Sequence, residues 1–201
     1  MTPPTPTPSA RSAHERTNPM TDLLNEAGLT PPPSRYTERD MLNALHARYS
    51  QRSQGGTLQR YVCAEHVRAS CGFAGWSAVE GPRTMRTADF IAQDTWEAQG
   101  LLLHGHEVKV SRADWLTELA DPSKADATKR FCNRWWLVVP DRGIVRDDLP
   151  DDWGLLAFGR DGKLRIVRRA PALDPEPHPP TFRAALLRAA AKTARKDQPH
   201  D

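Results

Sequence analysis

The sequence lacks what would set it in a membrane or mark it for an oxidising compartment. No apolar run approaches the roughly 18–20 residues that a membrane helix needs, and the opening MTPPTPTPSARS has no hydrophobic stretch of the kind a secretory signal carries. There are three cysteines, Cys63, Cys71 and Cys132, an odd count without a CxxC pair. That argues against a disulfide scaffold and makes a cytoplasmic location the default expectation. A large excess of one charge is also missing. With 28 Lys+Arg against 25 Asp+Glu, the net charge of +3 is too mild to name a nucleic-acid partner.

What is present is unevenly spread. Of 18 prolines, eight precede Tyr36 and six follow Ala170, while all six tryptophans lie between those limits. Proline interrupts helices and ladders, and large aromatics need a core, so the folded unit is expected over residues 36–170. A disordered Thr/Pro/Ser-rich leader is expected over 1–35, extended by Pro31-Pro32-Pro33; a solvated leader is the plainer reading, a docking peptide for a protein partner the functional one. Residues 171–201 read as a Pro-rich linker and a basic helical tail. The tail carries Arg183, Arg188, Lys192, Arg195 and Lys196 around a thin apolar stripe of Phe182, Leu186 and Ala189. Its charge suits nucleic acid or a docking partner; a frayed helix is the plainer expectation.

Within the central unit, Thr37 is a good N-cap, with Asp40 placed for the helix dipole, and Met41, Leu42, Leu45 and Tyr49 recur at helical spacing. The spacing of Leu58, Tyr61, Val62 and Ala69 predicts a second helix over 58–70, stopped at Cys71-Gly72. A short strand over Phe73–Val79 and two further strands over Arg86–Gln93 and Leu101–Val110 follow. Helices are expected at Arg112–Leu119 and Ser123–Asn133, separated by Asp121-Pro122. Trp135–Val139 (WWLVV) is apolar throughout, which marks a strand covered on both faces. Leu155–Phe158 and Lys163–Val167 form a hairpin around Arg160-Asp161-Gly162. The order is that of an α/β (α+β) domain, a central mixed sheet flanked by helices.

The most informative stretch is His106-Glu107-Val108-Lys109-Val110-Ser111. On a strand, Val108 and Val110 share one face, and Glu107, Lys109 and Ser111 the other. The preceding strand contributes Asp89, which meets Glu107 at one sheet edge if the two strands are neighbours. Two converging carboxylates repel unless a cation lies between them, and a hard divalent ion, Mg²⁺ or Mn²⁺, suits that donor set. A lysine beside them pairs with a phosphate oxygen or steadies developing negative charge. Together these groups are what in-line attack on a phosphodiester requires. A solvated strand face with a weak surface ion pair is the plainer alternative for Glu107 and Lys109.

The spacing D89-x17-E107-V-K109 resembles the PD-(D/E)xK nuclease motif, and the element order resembles the restriction-endonuclease-like core of that superfamily. The longer string EVKVSRADWLTEL…K…CNRWWLVVP…LPDDWGLL resembles more narrowly the MmcB-like DNA-repair and phage nuclease proteins. The likeness covers about residues 58–170, and Ala88 stands where the motif has proline. It implies a metal-dependent nuclease acting on DNA, with RNA left open, in repair, recombination or phage DNA processing. Asp89, Glu107 and Lys109 would be catalytic, and Asp89 and Glu107 would hold the metal. Members of the superfamily often add a carboxylate from the first core helix. Glu65 fits that auxiliary role on the expected second helix and ranks above Glu38. Ser111 and Arg112 at a helix start, and Lys124, Lys129 and Arg130 on a basic face, are candidate backbone contacts. Homodimerisation would suit cleavage of two strands.

Further candidates have plainer explanations. Cys63, His66 and Cys71 resemble half of a zinc knuckle but lack a fourth ligand. His104 and His106 read as packed or surface histidines. Two functions from other classes compete with catalysis: a catalytically idle nuclease-fold DNA-binding accessory, and an interaction module acting through its two ends.

Overall fold

Thr37 caps the start of the first described helix, α1 (Glu38–Arg48), as its sequence implies. Its hydroxyl accepts from the Asp40 amide, and the Asp40 carboxylate accepts in return from the Thr37 amide at 2.8 Å. In the computed structural model the described residues are 36–52, 56, 58–70, 86–121 and 123–196. The leader, the expected Phe73–Val79 strand and Cys71 lie outside them.

Among the described residues six strands follow: β1 (Tyr61–Arg68), β2 (Thr87–Asp94), β3 (Leu103–Val108), β4 (Arg134–Val139), β5 (Gly154–Phe158) and β6 (Leu164–Arg168). They form one sheet in sequence order. The β1/β2, β2/β3 and β5/β6 pairs are antiparallel, and β3/β4 and β4/β5 are parallel. The parallel β3–β4 step requires a crossover, which α2 (Arg112–Leu119) and α3 (Ser123–Lys129) supply. A final helix, α4 (Pro180–Lys196), completes the α+β architecture. Among the described residues no helix is long and apolar enough to cross a membrane.

The apolar run of β4 shows why the sheet is covered twice. Trp135, Leu137 and Val139 join a core with Trp115 of α2, Ala125 of α3 and Phe182 of α4. Trp136 and Val138 join a second core with Met41, Leu42, Leu45 and Tyr49 of α1. Alternate side chains therefore serve opposite faces, as expected from this stretch. Gly105 of β3 permits the close approach of Trp135: a Cβ there would lie 2.3 Å from that ring and 2.8 Å from the Cys132 sulfur.

Three expectations need correction. Residues 61–68 are a strand, not a helix, because the segment pairs with β2 from Tyr61↔Asp94 to Arg68↔Thr87, interrupted only at His66. Non-local pairing overrides the helical spacing of its apolar residues. The C-terminal helix is not a frayed tail, and the packed unit extends past residue 170. Phe182 is fully buried and stacks on Phe131 at 4.5 Å between ring centroids, and Thr193 Oγ1 accepts from the Glu65 amide at 2.9 Å. The helix from Ser123 ends earlier than expected, at Lys129, because the Phe131 and Cys132 amides turn back onto the Thr128 and Lys129 carbonyls.

Candidate functional site

The β2/β3 ladder stops at Phe90↔His106, so the next register step sets Asp89 opposite Glu107. There a side chain continues the pairing: Asp89 Oδ2 accepts from the Val108 amide at 2.8 Å. On the other edge of β3, Glu107 pairs with Leu137 of β4 and the Lys109 amide donates to the Val138 carbonyl at 3.0 Å. The Glu107-Val108-Lys109 tripeptide is thus fixed from both sides. Val108 and Val110 pack toward the α1 core, as the alternation predicts.

Lys109 Nζ lies 2.5 Å from Glu107 Oε1 and 3.1 Å from Glu118 Oε2. Glu118 comes from α2, three residues after the buried Trp115 and on the same helical face. Ser111 caps α2, with Asp114 N donating to its hydroxyl at 3.2 Å. Arg112 anchors the first turn by donating to the Ile144 carbonyl at 2.9 Å and pairing with Asp148. The Trp115 indole N–H donates to the same Asp148 at 2.8 Å. These contacts hold Glu118 over the lysine.

Burial and charge set the protonation states. Burial, then the neighbouring Asp89 charge, pushes the Glu107 carboxyl up to about 8, against the pull of Lys109. Burial likewise raises Asp89, opposed by the Val108 amide and Lys109. Burial alone would lower the Lys109 ammonium, but Glu107, Glu118 and Asp89 outweigh it and hold it charged.

A third set of groups adjoins Asp89. Glu38, His66 and Asp89 each offer a ligand atom, all within 4.8 Å of one another. Glu38 opens α1, and His66 sits opposite Asp89 in the β1/β2 register with φ of +51°. Glu38 and Asp89 line two clefts. One, of about 490 Å³, includes Lys109, Glu118 and Lys124; the other, of about 590 Å³, includes His66 and residues of α4. Two carboxylates and one imidazole could together hold a divalent ion, the imidazole suiting a transition metal better than Mg²⁺, which takes oxygen ligands.

Glu65 does not join them. It lies on β1, not on a helix, and its side chain is 3% exposed. Arg39 grips it with two bonds of 2.6 and 2.9 Å; Lys196 and His46 Nε2 approach at 2.9 and 3.0 Å. Led by Arg39, these partners hold its carboxyl far below the usual range. Glu65 is the clasp joining α1, β1 and α4, and the first-helix carboxylate beside Asp89 is Glu38. The sequence signal for Glu38 was its place in the first turn of α1. His66 was hidden by the helical misreading of β1.

Of the expected nucleic-acid contacts, Lys124 lines the cleft with Lys109. Lys129 bridges Asp152 and Asp126 at 2.6 and 2.9 Å, and Arg130 lies over the Phe131 ring, 3.9 Å from Glu176. His106 is fully buried between the Tyr49 hydroxyl and the Phe90 carbonyl, and burial brings His104 down to about 4. Both are packing histidines. Cys63 lies half-buried on β1.

Fold and notch together define an α+β protein whose mixed sheet carries acids and an amine where two strands part. Compared with family models, curated proteins and solved structures, the chain matches none.

Proposed function

We propose that this chain is a metal-dependent nuclease with a restriction-endonuclease-like core that hydrolyses DNA phosphodiester bonds, in repair, recombination or phage DNA processing. The observation that carries this reading is the meeting of three groups on two adjoining strands. Asp89 accepts from the Val108 amide, and Lys109 contacts Glu107 at 2.5 Å on either side of that residue. A surface ion pair would need no second acid, and neither acid would be buried.

Asp89 and Glu107 would hold Mg²⁺ or Mn²⁺, with Glu38 and His66 as further donors to Asp89's side. Such an ion, when bound, neutralises the acids and polarises a phosphoryl oxygen. Lys109 stabilises negative charge developing on the phosphoryl oxygens as its grip on Glu107 is shared with the substrate. Glu118 keeps the ammonium charged and aimed into the notch.

The test is incubation of the full chain with single- and double-stranded DNA in Mg²⁺, Mn²⁺ or EDTA. Cleavage is expected with either metal and not in EDTA, with Lys109→Ala slowing it at least ~100-fold, the scale of a lost electrostatic donor. Absence of cleavage in every condition, or equal cleavage by Lys109→Ala, contradicts the proposal. DNA binding without turnover would replace it by an idle nuclease-fold accessory protein.

A further inference from the structure

The cleft of about 590 Å³ has two chemically different sides. Glu38, His66 and Asp89 lie toward the notch. Across from them runs one face of α4: Ala185, Arg188, Ala189 and Lys192, spaced i, i+3, i+4 and i+7. Arg68 of β1 adds a third cation to the lining. The helix is fixed in place by buried Phe182, by Thr193 on the Glu65 amide and by Lys196 on the Glu65 carboxylate.

Most basic side chains near the core have acidic partners, as Arg39 and Lys196 have in Glu65, Arg112 in Asp148 and Lys129 in Asp152. Arg68, Arg188 and Lys192 are exposed and make no ion pair or hydrogen bond among the described residues. Glu65, the remaining acid of this cleft, is already neutralised by Arg39 and Lys196. The two alanines keep the floor between the cations low. Arg188 and Lys192 are about 6 Å apart along the helix axis, near enough for one strand to meet both.

We propose that Arg188 and Lys192 of α4, with Arg68 of β1, form the wall that holds the phosphate backbone of a DNA strand leading into the Asp89 notch. This rests on the nuclease reading and adds the path of the substrate. A polyanion gains at the basic side by releasing counterions, and its neighbouring phosphate is then delivered to the acid side, where the metal would bind. The helix is therefore a built part of the substrate cleft.

Fluorescence anisotropy with labelled single-stranded and duplex DNA, in EDTA so that nothing is cut, tests the wall separately from catalysis. Arg188→Ala/Lys192→Ala should weaken binding about 10-fold or more and lower the salt slope of log K by about 1.4–1.8, the share of two phosphate contacts. Arg183→Ala/Arg195→Ala removes the same charge from exposed positions of the same helix outside the cleft, and should change affinity less than about 2-fold. Arg188→Lys/Lys192→Arg should restore binding, and Arg68→Ala should weaken it from a different element, whatever the α4 variants do to folding. Whichever DNA form loses more affinity identifies the strand held there. Equal losses in the two double-alanine variants, unchanged binding by Arg188→Ala/Lys192→Ala, or no DNA binding by the wild type overturns the wall. Metal-dependent cleavage by the wild type in the same preparation would leave the nuclease reading standing; its absence, with the wall's binding intact, would remove that reading alone.

Discussion

Oδ2 of Asp89 accepts a hydrogen bond from the backbone amide of Val108 over 2.8 Å, where the β2/β3 ladder has just ended. One carboxylate therefore has two tasks: it fastens β3, and it supplies negative charge beside Glu107. The tasks separate by substitution. Asp89→Asn keeps an acceptor for the Val108 amide but removes the charge, so the fold should survive while cleavage falls at least ~100-fold. Asp89→Ala should also lose about 1 kcal/mol of stability from the unpaired amide. Chemical denaturation beside the cleavage assay distinguishes the two.

Glu107 makes the metal-free protein sensitive to alkali. Its folded-state pKa, about 8, lies above the ~4.3 of an unfolded chain. Its stabilising contribution is therefore complete below about pH 4.3 and is lost as pH rises through about 8. Between pH 5 and 9 the wild type should lose more stability than Glu107→Gln, as read by denaturation midpoints. Divalent metal binding near pH 7 should release a proton, measured by calorimetry in two buffers of different ionisation enthalpy.

His66 holds a left-handed backbone, φ +51°, directly beside Asp89. A non-glycine residue there costs roughly 1–2 kcal/mol, so His66→Gly should leave stability unchanged or raise it by about 1 kcal/mol. The same change removes an imidazole from the Glu38–His66–Asp89 set and should weaken Mn²⁺ binding several-fold. Lower stability together with unchanged Mn²⁺ affinity would show that the histidine is there for packing.

The ease with which Glu107 and Lys109 were read from the sequence, and the difficulty with His66, have one cause. Glu107, Val108 and Lys109 alternate on a regular strand, so local period alone separates the valine from the charged pair. Asp89 needed only a neighbouring strand. In β1, a backbone distortion at His66 interrupts the alternation, and the burial of Ala64, Glu65 and Val67 follows neither strand nor helix period. Local spacing therefore favours a helix and a metal-ligand role for Glu65, whereas its actual partners Arg39 and Lys196 lie 26 and 131 residues away in sequence. The capped start of α1 and the doubly buried WWLVV strand were legible because caps and periodicity are local. The docking of α4 on β1 was not, because an amphipathic Ala-rich helix carries no signal of what its apolar stripe will meet.

Glu65 should matter for folding rather than for chemistry. Its carboxyl is held far below the unfolded value by Arg39, Lys196 and His46, so its contribution is present above about pH 4.3 and is lost as pH falls through the acid range. Glu65→Ala should cost about 2–3 kcal/mol at neutral pH, less than a fully buried pair because Arg39 and Lys196 are half exposed. The difference from wild type should shrink as pH is lowered from 5 toward 2. Thermal melts across that range check it.

The nuclease proposal requires a divalent cation in the notch between β2 and β3. Anomalous diffraction from a crystal of the full chain soaked in Mn²⁺ locates the ion directly. A peak bridging the Asp89 and Glu107 carboxylates, lost in Asp89→Asn, is the result expected; Mn²⁺ bound only at other acids, or at none, contradicts the claim.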